Sequence, residues 1–222
     1  MRRRRTLGFL GIARRNVALV IGVSGIGCLC AAGSVARAQA GAPKTWGFVS
    51  TRLDSRSSNG VYTGYGYGSV FVVGALLDNR RSGYGEQLIG VGARGHLGGA
   101  GSQFVIAAVA KAPESRYLQF YYLPTIAYRG LTVGTTLIGY VPLDPTGFTQ
   151  LLVTPLTALV QTIGPVSLGA SYDMNAEQHA ATRHDAGPML RVALPSAEVG
   201  AELLLGIRNA SNRLRLSFRA FY

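Results

Sequence analysis

The sequence predicts an all-β fold, an antiparallel transmembrane β-barrel of about 10–12 strands. Three observations carry that expectation. The first forty residues have the layout of an export signal, the remainder alternates apolar and polar residues with a period of two, and its connections alternate between longer and shorter.

The export segment comes first in the chain. Arg2, Arg3, Arg4 and Arg5, then Arg14 and Arg15, precede an apolar run from Val17 to Ala36, and Ala38-Gln39-Ala40 supplies an A-x-A cleavage site. Residues 1–40 are therefore expected to be a signal peptide and 41–222 the barrel. The run approaches the ~20 residues of a transmembrane helix, so an uncleaved inner-membrane anchor is the alternative. Arg14-Arg15 matches twin-arginine export only as a pair.

This segment also distorts the composition. The chain has 22 Lys+Arg and 10 Asp+Glu, but residues 1–40 hold seven of the arginines and none of the acids, which leaves 15 bases and 10 acids beyond it. A net charge of +5 in place of +12 removes most of the support for a nucleic-acid partner. Both cysteines, Cys28 and Cys30, fall in the same segment, so the remainder has no disulfide, thiolate nucleophile or Cys-bound metal.

Strand-like segments follow at 44–53, 61–77, 84–97, 102–111, 116–128, 130–141, 148–162 and 165–174, with Gly, Pro, Asn, Asp and Ser clustered between most of them. Three more complete the chain. Leu190, Val192 and Leu194 alternate with Arg191; Val199, Ala201, Leu203, Leu205 and Ile207 oppose Glu198, Gly200, Glu202 and Gly206; and Leu214, Leu216, Phe218, Ala220 and Tyr222 oppose Arg213, Arg215, Ser217 and Arg219. The count is eleven, whereas a bacterial barrel is expected to be even. Either 44–53 is not a full strand or 148–162, interrupted by Pro155, is two.

The last three segments define two faces. The Leu/Phe/Tyr row is expected to meet lipid, and Arg191, Glu198, Glu202, Arg215 and Arg219 to form a charge ladder in the lumen, where buried charges must pair. Pairing Arg208 with Arg213 across a 209–212 turn sets Leu205 against Leu216 and Glu202 against Arg219. Trp46, Phe48, Tyr62, Tyr65, Tyr67, Tyr84, Tyr117, Tyr121, Tyr122, Tyr128, Tyr140 and Tyr172 lie mostly near strand ends, where interfacial belts form.

Through the strand 213–222 and its terminal aromatic, the chain resembles Gram-negative outer-membrane barrels. That resemblance implies that Leu214, Leu216, Phe218 and Tyr222 act as a signal for the barrel assembly machinery, with outer-membrane lipid as surroundings. Thr45-Trp46, Leu77-Asp78 ahead of Glu86, and Thr154-Pro155-Leu156 followed by Gly164-Pro165-Val166 also resemble the lipid A palmitoyltransferase barrel. Its catalytic His and Ser would fall where this chain has Gly47 and Asn79, which implies that the chemistry has been lost.

Little else points to catalysis. Gly90-Val91-Gly92-Ala93-Arg94-Gly95 matches a dinucleotide fingerprint, but His96-Leu97-Gly98-Gly99-Ala100-Gly101 is a turn where a helix is required, so no cofactor is expected. His179 and His184, with Glu177, Asp173 and Asp185, form a dense polar cluster suited in composition to general-base or metal chemistry, but at a spacing that matches no metal site. There is no G-x-S-x-G elbow, and Ser171 beside Asp173 has no histidine on its strand. The leading expectation is a non-enzymatic barrel, either structural and partner-binding or a narrow pore for a small solute. A lipid-modifying enzyme and an inner-membrane-anchored β-domain are the alternatives.

Overall fold

The computed structural model of the protein describes residues 45–56, 59–79 and 83–222. Residues 1–40, where a signal peptide is expected, lie outside the described residues. Twelve strands follow one another: β1 (Thr45–Asp54), β2 (Asn59–Tyr67), β3 (Val70–Asn79), β4 (Tyr84–Leu97), β5 (Gly101–Lys111), β6 (Arg116–Tyr128), β7 (Leu131–Pro142), β8 (Gln150–Ile163), β9 (Val166–Glu177), β10 (Arg183–Ala193), β11 (Ala197–Arg208) and β12 (Arg213–Phe221). Each pairs antiparallel with its neighbours in sequence, and β1 pairs with β12, so the sheet closes into a barrel with no free edge.

The twelfth strand comes from a place the sequence hides. Segment 44–53 is a full strand, and 148–162 is one strand that absorbs Pro155 in a bulge between Val153 and Leu156. It is 61–77 that divides, into β2 and β3, around Gly68-Ser69. Gly68 has φ +59, the left-handed conformation that a two-residue hairpin turn asks of glycine. As one of three alternate glycines with Gly64 and Gly66, it looks like part of a strand.

The connections place the barrel in its membrane. Turns 68–69, 98–100, 129–130, 164–165 and 194–196 lie at the end that holds Thr45 and Tyr222, and the longer connections 112–115, 143–149, 178–182 and 209–212 lie at the other. Short turns mark the periplasmic end and longer loops the extracellular one.

The register of the last hairpin differs from the sequence expectation. Glu202 faces Arg215, Leu203 faces Leu214, and Glu198 faces Arg219. β11 outruns β12 at the loop, where the Gly206 amide donates to Asn212 Oδ1 at 3.0 Å, so the turn is wider than 209–212. The slip is an even number of residues and leaves every side chain on its expected face.

The interior has two unlike halves. Across β1 to β7 it is packed with apolar and aromatic side chains: Phe71, Val73, Leu88, Ile106, Tyr117, Tyr121, Ile138 and Tyr140 are buried, with Trp46, Phe48 and Tyr62 against them. Trp46 and Phe71 have ring centroids 5.3 Å apart, Phe71 and Phe104 5.8 Å, and Tyr117 and Tyr140 5.8 Å. This corrects the expected belt. Tyr65, Tyr67 and Tyr128 are exposed, but most of the other aromatics named point inward by strand parity and form a core.

Glycine makes room for that core. A Cβ at Gly66 would stand 2.7 Å from both the Trp46 ring and the Val70 carbonyl oxygen, so β2 is bare where the rings of β1 lie across it. Gly66→Val is expected to destabilise the barrel by about 1–3 kcal/mol through overpacking. The urea midpoint of the refolded protein, read from the fluorescence of its single tryptophan, checks this. Gly92 of the fingerprint-like stretch likewise underlies the Phe71 ring and lies in a strand, with no helix N-terminus beside it.

Candidate functional site: an interior arginine–carboxylate network

Five consecutive strands, β9 to β12 and then β1, carry inward side chains of the opposite character. In an antiparallel barrel wall, alternate residues of each strand face inside, and at the extracellular half these are Asp173 on β9, Asp185 on β10, Glu202 on β11, Arg213 and Arg215 on β12, and Asp54 on β1. All four carboxylates are buried. They converge on two guanidinium groups.

Arg215 is 2 % exposed, and each of its nitrogens has a carboxylate. Nη1 meets Glu202 Oε2 at 3.1 Å and Asp173 Oδ1 at 3.2 Å, Nη2 contacts Asp173 Oδ2, and Nε lies 3.4 Å from Asp54 Oδ2. Arg213, one turn of the pleat nearer the loops, donates to Asp54 Oδ2 at 3.0 Å, Asp173 Oδ2 at 2.6 Å and Asp185 Oδ1 at 2.7 Å. Ser171 Oγ donates to Glu202 Oε2 at 2.5 Å and Thr154 Oγ1 to Asp173 Oδ2 at 3.0 Å, the same oxygens that the arginines contact. The planar five-donor fork of arginine suits this many-partner bridging.

Four carboxylates against two guanidinium groups leave the network with a formal excess of two negative charges. The periplasmic half of the interior reverses the sign. There Arg191 pairs with Glu198 at 3.2 Å, Arg219 stands opposite Glu198 in register and is exposed at the mouth, and Arg94 lies 4.2 Å above the Trp46 ring. The interior is thus polarised along the barrel axis.

A fifth buried carboxylate sits on the apolar wall. Glu86, 2 % exposed, accepts from Gln119 Nε2 at 2.8 Å and from the Tyr84 hydroxyl, and Tyr121 donates to Gln119 Oε1 at 2.5 Å. Neutral donors, not cations, hold this carboxylate among the described residues.

The ladder residues therefore separate into two groups. Glu202 and Arg215 meet each other, Arg191 and Glu198 meet each other, and Arg219 is not paired with Glu202 because the hairpin register is wider. Asp173 and Asp185, visible in the sequence only as members of a polar cluster, join the network, and Asp54 completes it from the far end of the barrel's chain, where no linear signal announces it.

The catalytic candidates are dispersed. Asp173 and Asp185 are strand residues held inside by Arg213, His179 is exposed in the loop after β9 with φ 70, and His184 points outward, sharing a 2.7 Å hydrogen bond with the Tyr172 hydroxyl. Gly47 and Asn79, where the palmitoyltransferase resemblance would place catalytic groups, lie at opposite ends of the barrel.

Solved structures of the same shape decide the class. The KdgM porin in complex with disordered oligogalacturonate superposes with a TM-score of 0.56 over 79% of this chain and 98% of that one, at 7% identity. The NanC porin does so with a TM-score of 0.52 over 79% and 99%, at 10% identity. This chain has the fold of the outer-membrane β-barrels. No protein-family profile and no curated protein matches it by sequence, so the barrel is shared as a fold with little common sequence. The closed twelve-strand antiparallel wall is the fold it shares with those porins.

Proposed function

We propose that this outer-membrane barrel is a non-enzymatic, narrow pore for small solutes, with the Arg213–Arg215 carboxylate network as its selective constriction. The observation that carries the reading is the network itself. It draws charged side chains from five adjacent strands to one level of the interior, where a passing solute must exchange contacts with them.

The sign of the charge shapes the choice of solute. One similar structure holds oligogalacturonate, a chain of acidic sugars. Here a solute entering from outside first meets an excess of carboxylates, which opposes a polyanion and favours small cations or neutral molecules. The barrel interior is otherwise filled by side chains, so wide aqueous flux is not expected.

Planar-bilayer recording on the refolded full barrel tests this. The expected result is a small, discrete, cation-selective conductance that rectifies, because the acidic and basic halves lie in series, and that loses selectivity in Asp185→Asn. Absence of any discrete step, with none created by Glu202→Ala or Arg219→Ala, rules out the pore.

A further inference from the structure

We propose that the outward face of β2 to β6, near the extracellular rim, is a binding site for a phosphorylated, acylated lipid of the outer leaflet, with its phosphate between Lys111 and Arg116 and an acyl chain over Gly74. The site is independent of the pore reading. It lies on the opposite side of the barrel wall.

The strand register builds it. Val61, Leu76, Gln87, Lys111 and Arg116 are successive cross-strand partners on one outward row, and Thr63, Gly74, Ile89 and Val109 form the row beneath, toward the membrane centre. Apolar side chains thus stop at a line of two cations. Lys111 and Arg116 are direct partners across β5 and β6, an arrangement in which like charges repel, and an anion between them would relieve the repulsion.

The two cations are not equally free. Arg116, with its side chain 63% exposed, donates to Asp144 from Nη2 at 2.8 Å, from Nε at 3.2 Å and from its backbone amide at 2.7 Å. Those side-chain and backbone hydrogen bonds hold the Asp144 carboxyl below the usual carboxylate range, so it stays ionised and orients the guanidinium. Lys111 is exposed, and its side chain makes no hydrogen bond or ion pair with any described residue. Asp78, on the same face and nearer the rim, already has a partner.

Beneath the cations lies a groove of about 570 Å³, lined by Val61, Leu76, Ile89 and Val109 and floored by Gly74. Ile89 is 72% exposed. A Cβ at Gly74 would meet nothing nearer than the Leu88 carbonyl oxygen at 3.8 Å, so this glycine, unlike Gly66, leaves space outside the wall. A groove of acyl-chain character ending at two adjacent cations at headgroup level matches one kind of molecule. Its chemistry is a phosphate joined to hydrocarbon.

Native mass spectrometry of the full barrel in detergent, titrated with diphosphorylated lipid A, tests the site. Lys111→Gln is expected to weaken binding about tenfold, the size of one charge-assisted hydrogen bond. Gly74→Leu, whose Cβ would meet nothing nearer than 3.8 Å, is expected to weaken it as well, and Arg129→Gln, at the periplasmic turn, to leave it unchanged. Fully dephosphorylated lipid should bind at least tenfold more weakly, and millimolar inorganic phosphate should not displace the lipid. Equal binding of the two lipids, or wild-type affinity in Lys111→Gln, overturns the proposal. Displacement by inorganic phosphate, or wild-type affinity in Gly74→Leu, overturns the acyl groove. Heat-modifiable migration of each variant on a gel shows that the barrel is folded in every comparison.

Discussion

Arg215→Ala is expected to destabilise the barrel by about 3–5 kcal/mol, the effect of leaving buried carboxylates without their cation. Arg215 touches Asp173, Glu202 and Asp54, and its removal leaves Arg213 to hold Asp54, Asp173 and Asp185 while Glu202 keeps, among the described residues, only the Ser171 hydroxyl. The loss should appear as a lower urea midpoint and a lower temperature of conversion to the slow-migrating form on a gel. A particular pattern of rescue should follow. In the Arg215→Met background, Asp173→Asn together with Glu202→Gln should restore most of the stability, because neutral partners with apolar filling remove the uncompensated charge. A rescue no greater than that of Asp144→Asn, whose carboxylate lies in a loop remote from the network, would show that Arg215 acts through packing alone.

Leu216→Arg is expected to be comparably severe, for a reason of solvent instead of pairing. Leu216 faces lipid near the middle of β12, opposite Leu53 on one side and Ala201 on the other, and an arginine at the bilayer midplane of a barrel costs about 2–4 kcal/mol. Leu214→Arg, closer to the extracellular rim, should cost about 0–1 kcal/mol, because the charge reaches the interface. Unfolding of the barrel from vesicles in urea, again followed through Trp46, measures both. Equal effects at the two positions would contradict the depth assigned to Leu216.

These two substitutions probe different levels of legibility. The outward placement of Leu216 and the inward placement of Arg215 were readable in 213–222, since alternation along one strand is a local property of an extended chain. The partners of Arg215 were not. Asp54 is 161 residues away in sequence, and only the closure of β1 on β12 brings it within reach. The expected pairing of Glu202 with Arg219 failed because register depends on the loop, where Asn212 caps the Gly206 amide. The even slip preserved the faces and changed the partners.

The aromatics show the same division. Their grouping near strand ends was visible, yet the direction of each depends on strand parity counted from a turn, and the turn at Gly68-Ser69 was concealed in a run of alternate glycines. With the turn in place, Trp46, Phe48, Phe71 and Phe104 fall inside and pack on one another. The fold class and the lipid and lumen faces of the last three strands follow from the sequence alone, because period-two alternation is imposed residue by residue. The strand count, the register, the aromatic core and the four-carboxylate network were decided by the tertiary structure. Each depends on which residues a closed sheet sets side by side, and such contacts join parts of the chain that share no local pattern.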